Sequence, residues 1–199
     1  MKKNKKTFFL IPGFKQKISN KKFIWLIKFL EKKGFRVLGA PIKWNHKTVS
    51  DCAKDFEDFY KKHKSEINYI LGFSYGAVIA LLTANKLNSK KIYLCSLSPD
   101  FKEDITRMKP WIRKLIGKKR FQDIKTRSGK MLAKELKVPS AVFYGELEAK
   151  HYPEIEIRCK ETVELANKSK VIVVKNAPHD ISHIEYKKAI KKELELVKS

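Results

Sequence analysis

Cysteine is scarce in this sequence, which contains three in 199 residues: Cys52, Cys95 and Cys159. An odd number of widely spaced cysteines, with no C-x-x-C pair, argues against a disulfide framework and against a zinc site. Cys95 lies in an apolar run that is typical of a buried strand, so we expect it to pack in the core. We predict neither a bound metal nor a cofactor.

Long apolar runs are also absent, and none approaches the roughly 20 residues that span a bilayer. The chain starts with the basic segment MKKNKK, and the apolar stretch that follows ends at Pro12 and Gly13. This stretch falls short of the about 7–15 apolar residues of a signal peptide. We therefore expect a cytoplasmic protein with no transmembrane segment, and we interpret the stretch as a buried strand.

Acidic residues are few, since 21 Asp and Glu stand against 45 Lys and Arg and leave a formal net charge of +24. An anionic partner, such as an acidic substrate, a lipid surface or nucleic acid, would explain this excess. A lysine-rich composition spread over a solvated surface would explain it too, and we favour that explanation because the lysines are scattered along the chain. No helix-turn-helix pattern or RNA-binding aromatic signature accompanies them, so no specific nucleic-acid partner is predicted.

What the sequence does contain is an alternation of short apolar runs and segments of helical period. This pattern predicts an α/β protein, a three-layer α/β/α sandwich around a mainly parallel six-stranded sheet, in a single domain of residues 1–199. The predicted strands are residues 7–11, 35–38, 67–73, 91–97, 138–144 and 171–175, and the predicted helices are residues 17–33, 48–64, 77–87, 153–167 and 181–197.

Residues 98–137 interrupt the alternation and carry no strand signal. An insertion of this length is usually a lid or a binding loop, so we predict a small helical cap and call residues 98–137 the cap segment. It holds 13 basic and five acidic residues, with apolar residues interleaved at helical spacing. A basic lid that meets an anionic substrate or surface fits this composition. A helical cap packed on the domain fits it as well, and we favour the cap.

The strongest motif is G-x-S-x-G at residues 72–76, between an apolar strand and a helix of small residues. Such a turn needs small flanking residues because the backbones pass close together there. It lifts the serine hydroxyl above the sheet and directs the start of the next helix at developing negative charge. Ser74 is therefore the candidate nucleophile.

An alcohol needs a base to attack at neutral pH, and the chain has five histidines. His179, in the sequence NAPHD, follows the last strand and is expected at the same sheet edge as Ser74. His183 is the weaker candidate. His46 and His63 precede the serine, whereas the histidine follows the serine in chains that carry G-x-S-x-G on a strand-to-helix turn.

Three carboxylates could orient the histidine. Glu148, in the sequence YGELE after the fifth strand, ranks first because it lies between nucleophile and histidine along the chain. Asp100, after the fourth strand, ranks second, and Glu146 ranks third. For the oxyanion hole we predict the backbone N–H groups of Tyr75 and Phe14, the latter in the turn after the first strand.

The motifs LIPGF, GFSYG, FYGELE and NAPHD together resemble the α/β-hydrolase superfamily over nearly the whole chain. In size the chain is similar to compact members that lack the first two strands and act as serine hydrolases or esterases. In that family the acid commonly ends a G-x-x-D pattern, and Glu148 occupies this position here. Pro12-Gly13 replaces the His-Gly that is frequent at the oxyanion turn.

The resemblance implies hydrolysis of a small-molecule carboxylic ester, thioester or lactone through an acyl-enzyme on Ser74. Fold alone does not fix an activity, so a second hypothesis stands beside it. This alternative is a catalytically silent protein of the same fold whose basic surface binds polyanions.

Overall fold

The computed structural model describes residues 5–197, and its centre is a six-stranded sheet in the order β2-β1-β3-β4-β5-β6. Every strand pair in this sheet is parallel, where a mainly parallel sheet was predicted. The α/β class is confirmed, and each strand boundary falls within two residues of its predicted place. The strands are β1 (Lys6–Ile11), β2 (Arg36–Gly39), β3 (Ile67–Phe73), β4 (Lys91–Cys95), β5 (Ser140–Gly145) and β6 (Ser169–Val174).

Helices connect the strands and form the outer layers. Helix α2 begins at a capping box in which Thr48 and Asp51 satisfy each other's backbone N–H groups. Helix α6 is one that the sequence pattern did not predict. The helices are α1 (Lys21–Lys32), α2 (Val49–His63), α3 (Tyr75–Thr83), α4 (Pro110–Lys125), α5 (Gly129–Lys134), α6 (Glu146–His151), α7 (Pro153–Leu165) and α8 (Ile184–Glu195).

The core lies on both faces of the sheet because consecutive strand side chains point to opposite sides. In β1, Phe9 packs with the apolar residues of α2, α3 and α7, whereas Phe8 and Leu10 pack with those of α1 and α8. Cys95 belongs to the second of these clusters, as expected, and all three cysteines are free and buried.

The cap segment contains a 3-10 turn at Lys102–Arg107, followed by α4 and α5. Helix α4 changes direction at Gly117, whose φ of 78° lies in the left-handed region that glycine tolerates. The segment has a small apolar core of its own, formed by Met108, Ile116 and Ile124.

Residues 1–4, which belong to the basic start weighed above as part of a signal peptide, lie outside the described residues. Between residues 5 and 197, no helix is both long enough and apolar enough to cross a membrane.

Candidate active site

The sheet order determines which loops meet. The carboxyl ends of parallel strands lie at one edge, and clefts form there between the loops. Along this edge the loops after β1, β3, β4, β5 and β6 follow one another. The residues that follow these strands include, in that order, the predicted Phe14, Ser74, Asp100, Glu148 and His179, of which Glu148 lies in α6.

Ser74 occupies a strained turn between β3 and α3. Its φ of 56° and ψ of −122° are unfavourable for a residue with a side chain, so the surrounding structure must hold this conformation. The Ser74 N–H donates to the carbonyl of Cys95 at 2.8 Å. A Cβ atom at Gly76 would lie 2.1 Å from the carbonyl oxygen of Ile11, so the close approach of α3 to β1 requires glycine there.

Glu148 and His179 are brought together directly. His179 Nδ1 is hydrogen-bonded to Glu148 Oε1, and the imidazole packs on the Phe73 ring with the ring centres 4.9 Å apart. The second carboxylate oxygen, Oε2, accepts from the Gly145 N–H and from Ser96 Oγ, each at 2.9 Å. With 1% of its surface exposed, Glu148 depends on these partners in place of water.

The two alternative acids have other partners. Asp100 is buried and paired with Arg127. Burial raises the pKa of Asp100 to about 7, and the adjacent guanidinium opposes this rise. Glu146 accepts from the backbone N–H of Asn176 at 3.0 Å. Of the three predicted carboxylates, Glu148 is the one in contact with His179.

His46, His63, His151 and His183 do not line the pocket that contains Ser74, and His151 ends α6. His183 is the residue before α8, and its Nδ1 is buried with no hydrogen bond to any residue of the described range 5–197. His63 ends α2 and its ring packs against Phe59. His46 lies in the loop after β2.

The Ser74 hydroxyl and the His179 imidazole line one pocket. The hydroxyl is hydrogen-bonded to Ser98 Oγ at 3.2 Å, and within residues 5–197 no direct hydrogen bond joins it to His179.

The two predicted oxyanion donors flank Ser74. Phe14 and Tyr75 both line the pocket, and neither backbone N–H donates to an acceptor in the described part of the chain. Tyr75 is the first residue of α3, where N–H groups have no partner within the helix. The Phe14, Tyr75 and Trp44 rings pack together, with ring centres 5.1 to 6.0 Å apart. These contacts hold the turn after β1 against α3.

The pocket has a volume of about 310 Å³ and a largely apolar wall from the cap segment. Trp111 and Leu115 stand at this wall with 53% and 61% of their surfaces exposed. Besides the His179 imidazole, the pocket is lined by the ionic side chains of Asp104, Arg107 and Glu154. The apolar wall residues from the cap segment are Pro99, Met108, Trp111, Ile112, Leu115 and Ile116.

Sequence reasoning missed three residues near the site: Ser96, Ser98 and Tyr186. Ser96 and Ser98 follow β4, and their position at the carboxyl edge beside β3 was a signal that could have found them. Tyr186 lies on α8 and reaches Ser96 through tertiary packing, which no local pattern indicates.

Comparison with known proteins relates the chain to solved structures through its fold. No family model and no curated protein sequence matches it. Est1E from Butyrivibrio proteoclasticus superposes with a TM-score of 0.78 at 15% identity, over 99% of this chain and 90% of that one. A putative hydrolase from Agrobacterium vitis gives 0.81 at 13% identity, over 98% and 88%. An esterase from Pyrococcus furiosus gives 0.67 at 16% identity, over 98% and 83%.

Proposed function

We propose that this chain, which has the α/β-hydrolase fold, is a serine hydrolase that cleaves carboxylic esters through an acyl-enzyme on Ser74. The observation that carries the proposal is the hydrogen bond between His179 and the buried carboxylate of Glu148, beside a serine on a strained turn. The esterases and hydrolases among its structural neighbours support the same reaction class.

The first half of the reaction forms the acyl-enzyme. Because His179 Nδ1 faces Glu148, Nε2 is the ring nitrogen left to take the Ser74 proton. Ser74 Oγ then bonds to the ester carbonyl carbon, whose oxygen becomes an oxyanion near the N–H groups of Phe14 and Tyr75. When the oxyanion collapses, the carbon–oxygen bond to the alcohol breaks, and the His179 imidazolium gives its proton to the departing oxygen.

The second half returns the enzyme to its starting state. Water loses a proton to His179 and attacks the acyl carbon, forming a second oxyanion. The bond to Ser74 Oγ breaks, the serine recovers its proton from His179, and a carboxylic acid leaves. Before the first half, the Ser74 hydroxyl must leave Ser98 and donate to His179, and we assign this change to substrate binding.

The proposed substrate is an ester with an apolar part of moderate size. The cavity of about 310 Å³ and its wall of cap residues suit such a group. Thioesters and lactones share the same reactive carbonyl and belong to the same proposal.

An acidic group on the substrate is a further part of the proposal. Residues 105–122 contain seven basic residues and no acidic one. In this stretch Lys109, Arg113, Lys114 and Lys118 are exposed around Trp111 and Leu115 at the pocket wall. Such a surface attracts anions.

A fluorophosphonate probe tests the nucleophile, since an activated serine displaces fluoride and retains the phosphonyl group. We expect one adduct by intact mass on wild type and none on Ser74→Ala. Ser89→Ala is the matched control, because Ser89 is as buried as Ser74, at 8% exposure, and its hydroxyl has no partner among the described residues. A series of p-nitrophenyl esters of increasing length then measures the acyl pocket.

The opposite result would support the catalytically silent hypothesis. An absence of adduct on wild type and of ester turnover, combined with retention on heparin at physiological salt, would indicate a binding protein that uses its positive surface.

A further inference from the structure

Two buried hydroxyl groups form a chain that ends at the Glu148 carboxylate oxygen not used by His179. Ser96 Oγ donates to Glu148 Oε2 at 2.9 Å, and the Tyr186 hydroxyl lies 2.7 Å from Ser96 Oγ. Ser96 follows β4, and Tyr186 belongs to α8. Neither side chain has any surface exposed.

The number of hydroxyl protons determines which of these groups donates each hydrogen bond and which accepts it. An ionised carboxylate only accepts hydrogen bonds, so the single Ser96 hydroxyl proton is directed at Glu148. Ser96 Oγ must therefore accept from Tyr186, whose hydroxyl donates. Both hydroxyl dipoles point their positive ends toward the carboxylate, and each strengthens the other.

The backbone at Ser96 supports a specific role. Its φ of 52° lies in the left-handed region, which is unfavourable for a residue with a side chain. Its N–H donates to the carbonyl of Phe143 at 2.7 Å, so the conformation is held from β5. Strain of this kind is typical of functional sites, where the surroundings keep a group in place.

Three buried titratable groups next to Glu148 are held neutral by their burial. Cys95 and Cys159 face the carboxylate, and burial raises the pKa of both thiols. Burial likewise raises the pKa of Tyr186 well above its usual value, which keeps its donated proton in place. These three groups therefore add no charge beside the pair of Glu148 and His179.

We propose that Ser96 and Tyr186 are positioning residues, which hold Glu148 ionised and keep its Oε1 directed at His179 Nδ1. The inference rests on the proposed function, because it treats His179 as the base. Ser96, directly after β4, and Tyr186, on α8, would then contribute to catalysis although neither belongs to a sequence motif.

The variants Ser96→Ala and Tyr186→Phe test the chain. Tyr93→Phe is the matched control, since the buried Tyr93 hydroxyl belongs to the same core cluster and has no partner in the described structure. We expect kcat to fall about tenfold in Ser96→Ala and about threefold in Tyr186→Phe, with KM unchanged. Tyr93→Phe should match wild type.

The pH dependence of kcat/KM distinguishes a positioning role from a purely structural one, which would leave it unchanged. Hydroxyl dipoles with their positive ends toward the His179–Glu148 pair oppose the binding of a second proton. Removing them should move the acidic limb of kcat/KM to higher pH in both variants. The limb in Tyr93→Phe should stay where it is in wild type.

Proton NMR tests the chain without any turnover. The Nδ1 proton of His179, assigned by its loss in His179→Gln, should change chemical shift in Ser96→Ala and in Tyr186→Phe but not in Tyr93→Phe. Variants that unfold more easily yet keep kcat, the acidic limb and this resonance would overturn the inference.

The two proposals fail differently. An inactive wild type whose His179 resonance still responds to Ser96→Ala or Tyr186→Phe would reject ester hydrolysis and retain the hydroxyl chain. An active wild type with unresponsive variants would do the reverse. If Ser96→Ala does not fold, the isosteric Tyr186→Phe decides the matter.

Discussion

Two glutamates, separated by one residue in α6, have different surroundings. Glu148 is buried and contacts His179, whereas Glu146 is partly exposed and accepts from the Asn176 backbone. A carboxylate stabilises an imidazolium only if it is charged and in contact with it.

Glu148→Gln keeps the shape of the side chain and removes its charge. We expect kcat for an ester substrate to fall by about a thousandfold, because the imidazolium loses its counter-charge and the ring its orientation. Glu146→Gln keeps an acceptor for the Asn176 N–H and should stay within about threefold of wild type. Equal losses in the two variants would remove Glu148 from the role of acid.

At the scale of single residues, the sequence predicted the position of a side chain best where the residue follows a strand. Ser74, Glu148 and His179 each follow a strand, so the parallel topology was enough to place them at one edge. The partner of Asp100 could not be foreseen, because Arg127 lies 27 residues away and reaches it only through the folded cap segment. The roles of these residues remain predictions until the variants are measured.

At the scale of elements, an ion-pair cluster joins the cap segment to α7. Arg158 has no exposed surface and bonds to Asp104 at 2.6 Å, and Asp104 also accepts from Arg107 at 3.2 Å. The Arg158 guanidinium lies over the Phe101 ring at 5.2 Å. Charges removed from water in this way are stable only while their partners remain.

Asp104→Asn should therefore destabilise the protein strongly. The substitution leaves the buried Arg158 without its closest counter-charge, and we expect a loss of about 3–5 kcal/mol in the free energy of unfolding. Urea titration followed by circular dichroism measures it. Glu185→Gln, which breaks an exposed pair with Lys188 on α8, is the control and should change little. A variant Asp104→Asn as stable as wild type would mean that the cluster does not anchor the cap segment.

The boundaries of helices and strands were predicted most accurately where neighbouring residues in the sequence determine them. β3, with its apolar run between polar residues, appears at its predicted residues 67–73, and Thr48 caps α2 as its side chain allows. Helix α1 begins at Lys21 and not at residue 17, because Asn20 provides the cap for the Lys22 N–H. Helix α6 was missed because its six residues are too few to show a helical period.

For the whole molecule, the question is whether the net charge of +24 acts at the site or merely surrounds it. Basic residues occur in the helices on both faces of the sheet. The net charge alone therefore attracts anions to the whole protein surface and does not direct them to the pocket. The stretch 105–122, with seven basic residues and no acidic one, differs because it adjoins the pocket wall. Position and total charge can be separated experimentally.

Two charge-reversal variants of equal net charge make that separation. Lys114→Glu with Lys118→Glu alters α4, and Lys188→Glu with Lys192→Glu alters α8 at the same spacing of four residues. For an ester that carries a carboxylate, we expect kcat/KM to fall about tenfold in the α4 variant and much less in the α8 variant. A neutral ester of the same size should be hydrolysed equally by both.

The dependence of kcat/KM on salt concentration is a second test of the same question. Raising sodium chloride from 20 mM to 500 mM should lower wild-type kcat/KM for the anionic ester several-fold, because screening shortens the reach of exposed charges. The α4 variant should have lost most of this dependence and the α8 variant should retain it. Equal losses in the two variants would mean that total charge, and not the cap segment, attracts the substrate. A neutral ester preferred at every salt concentration would mean that the lysines serve the solvated surface alone.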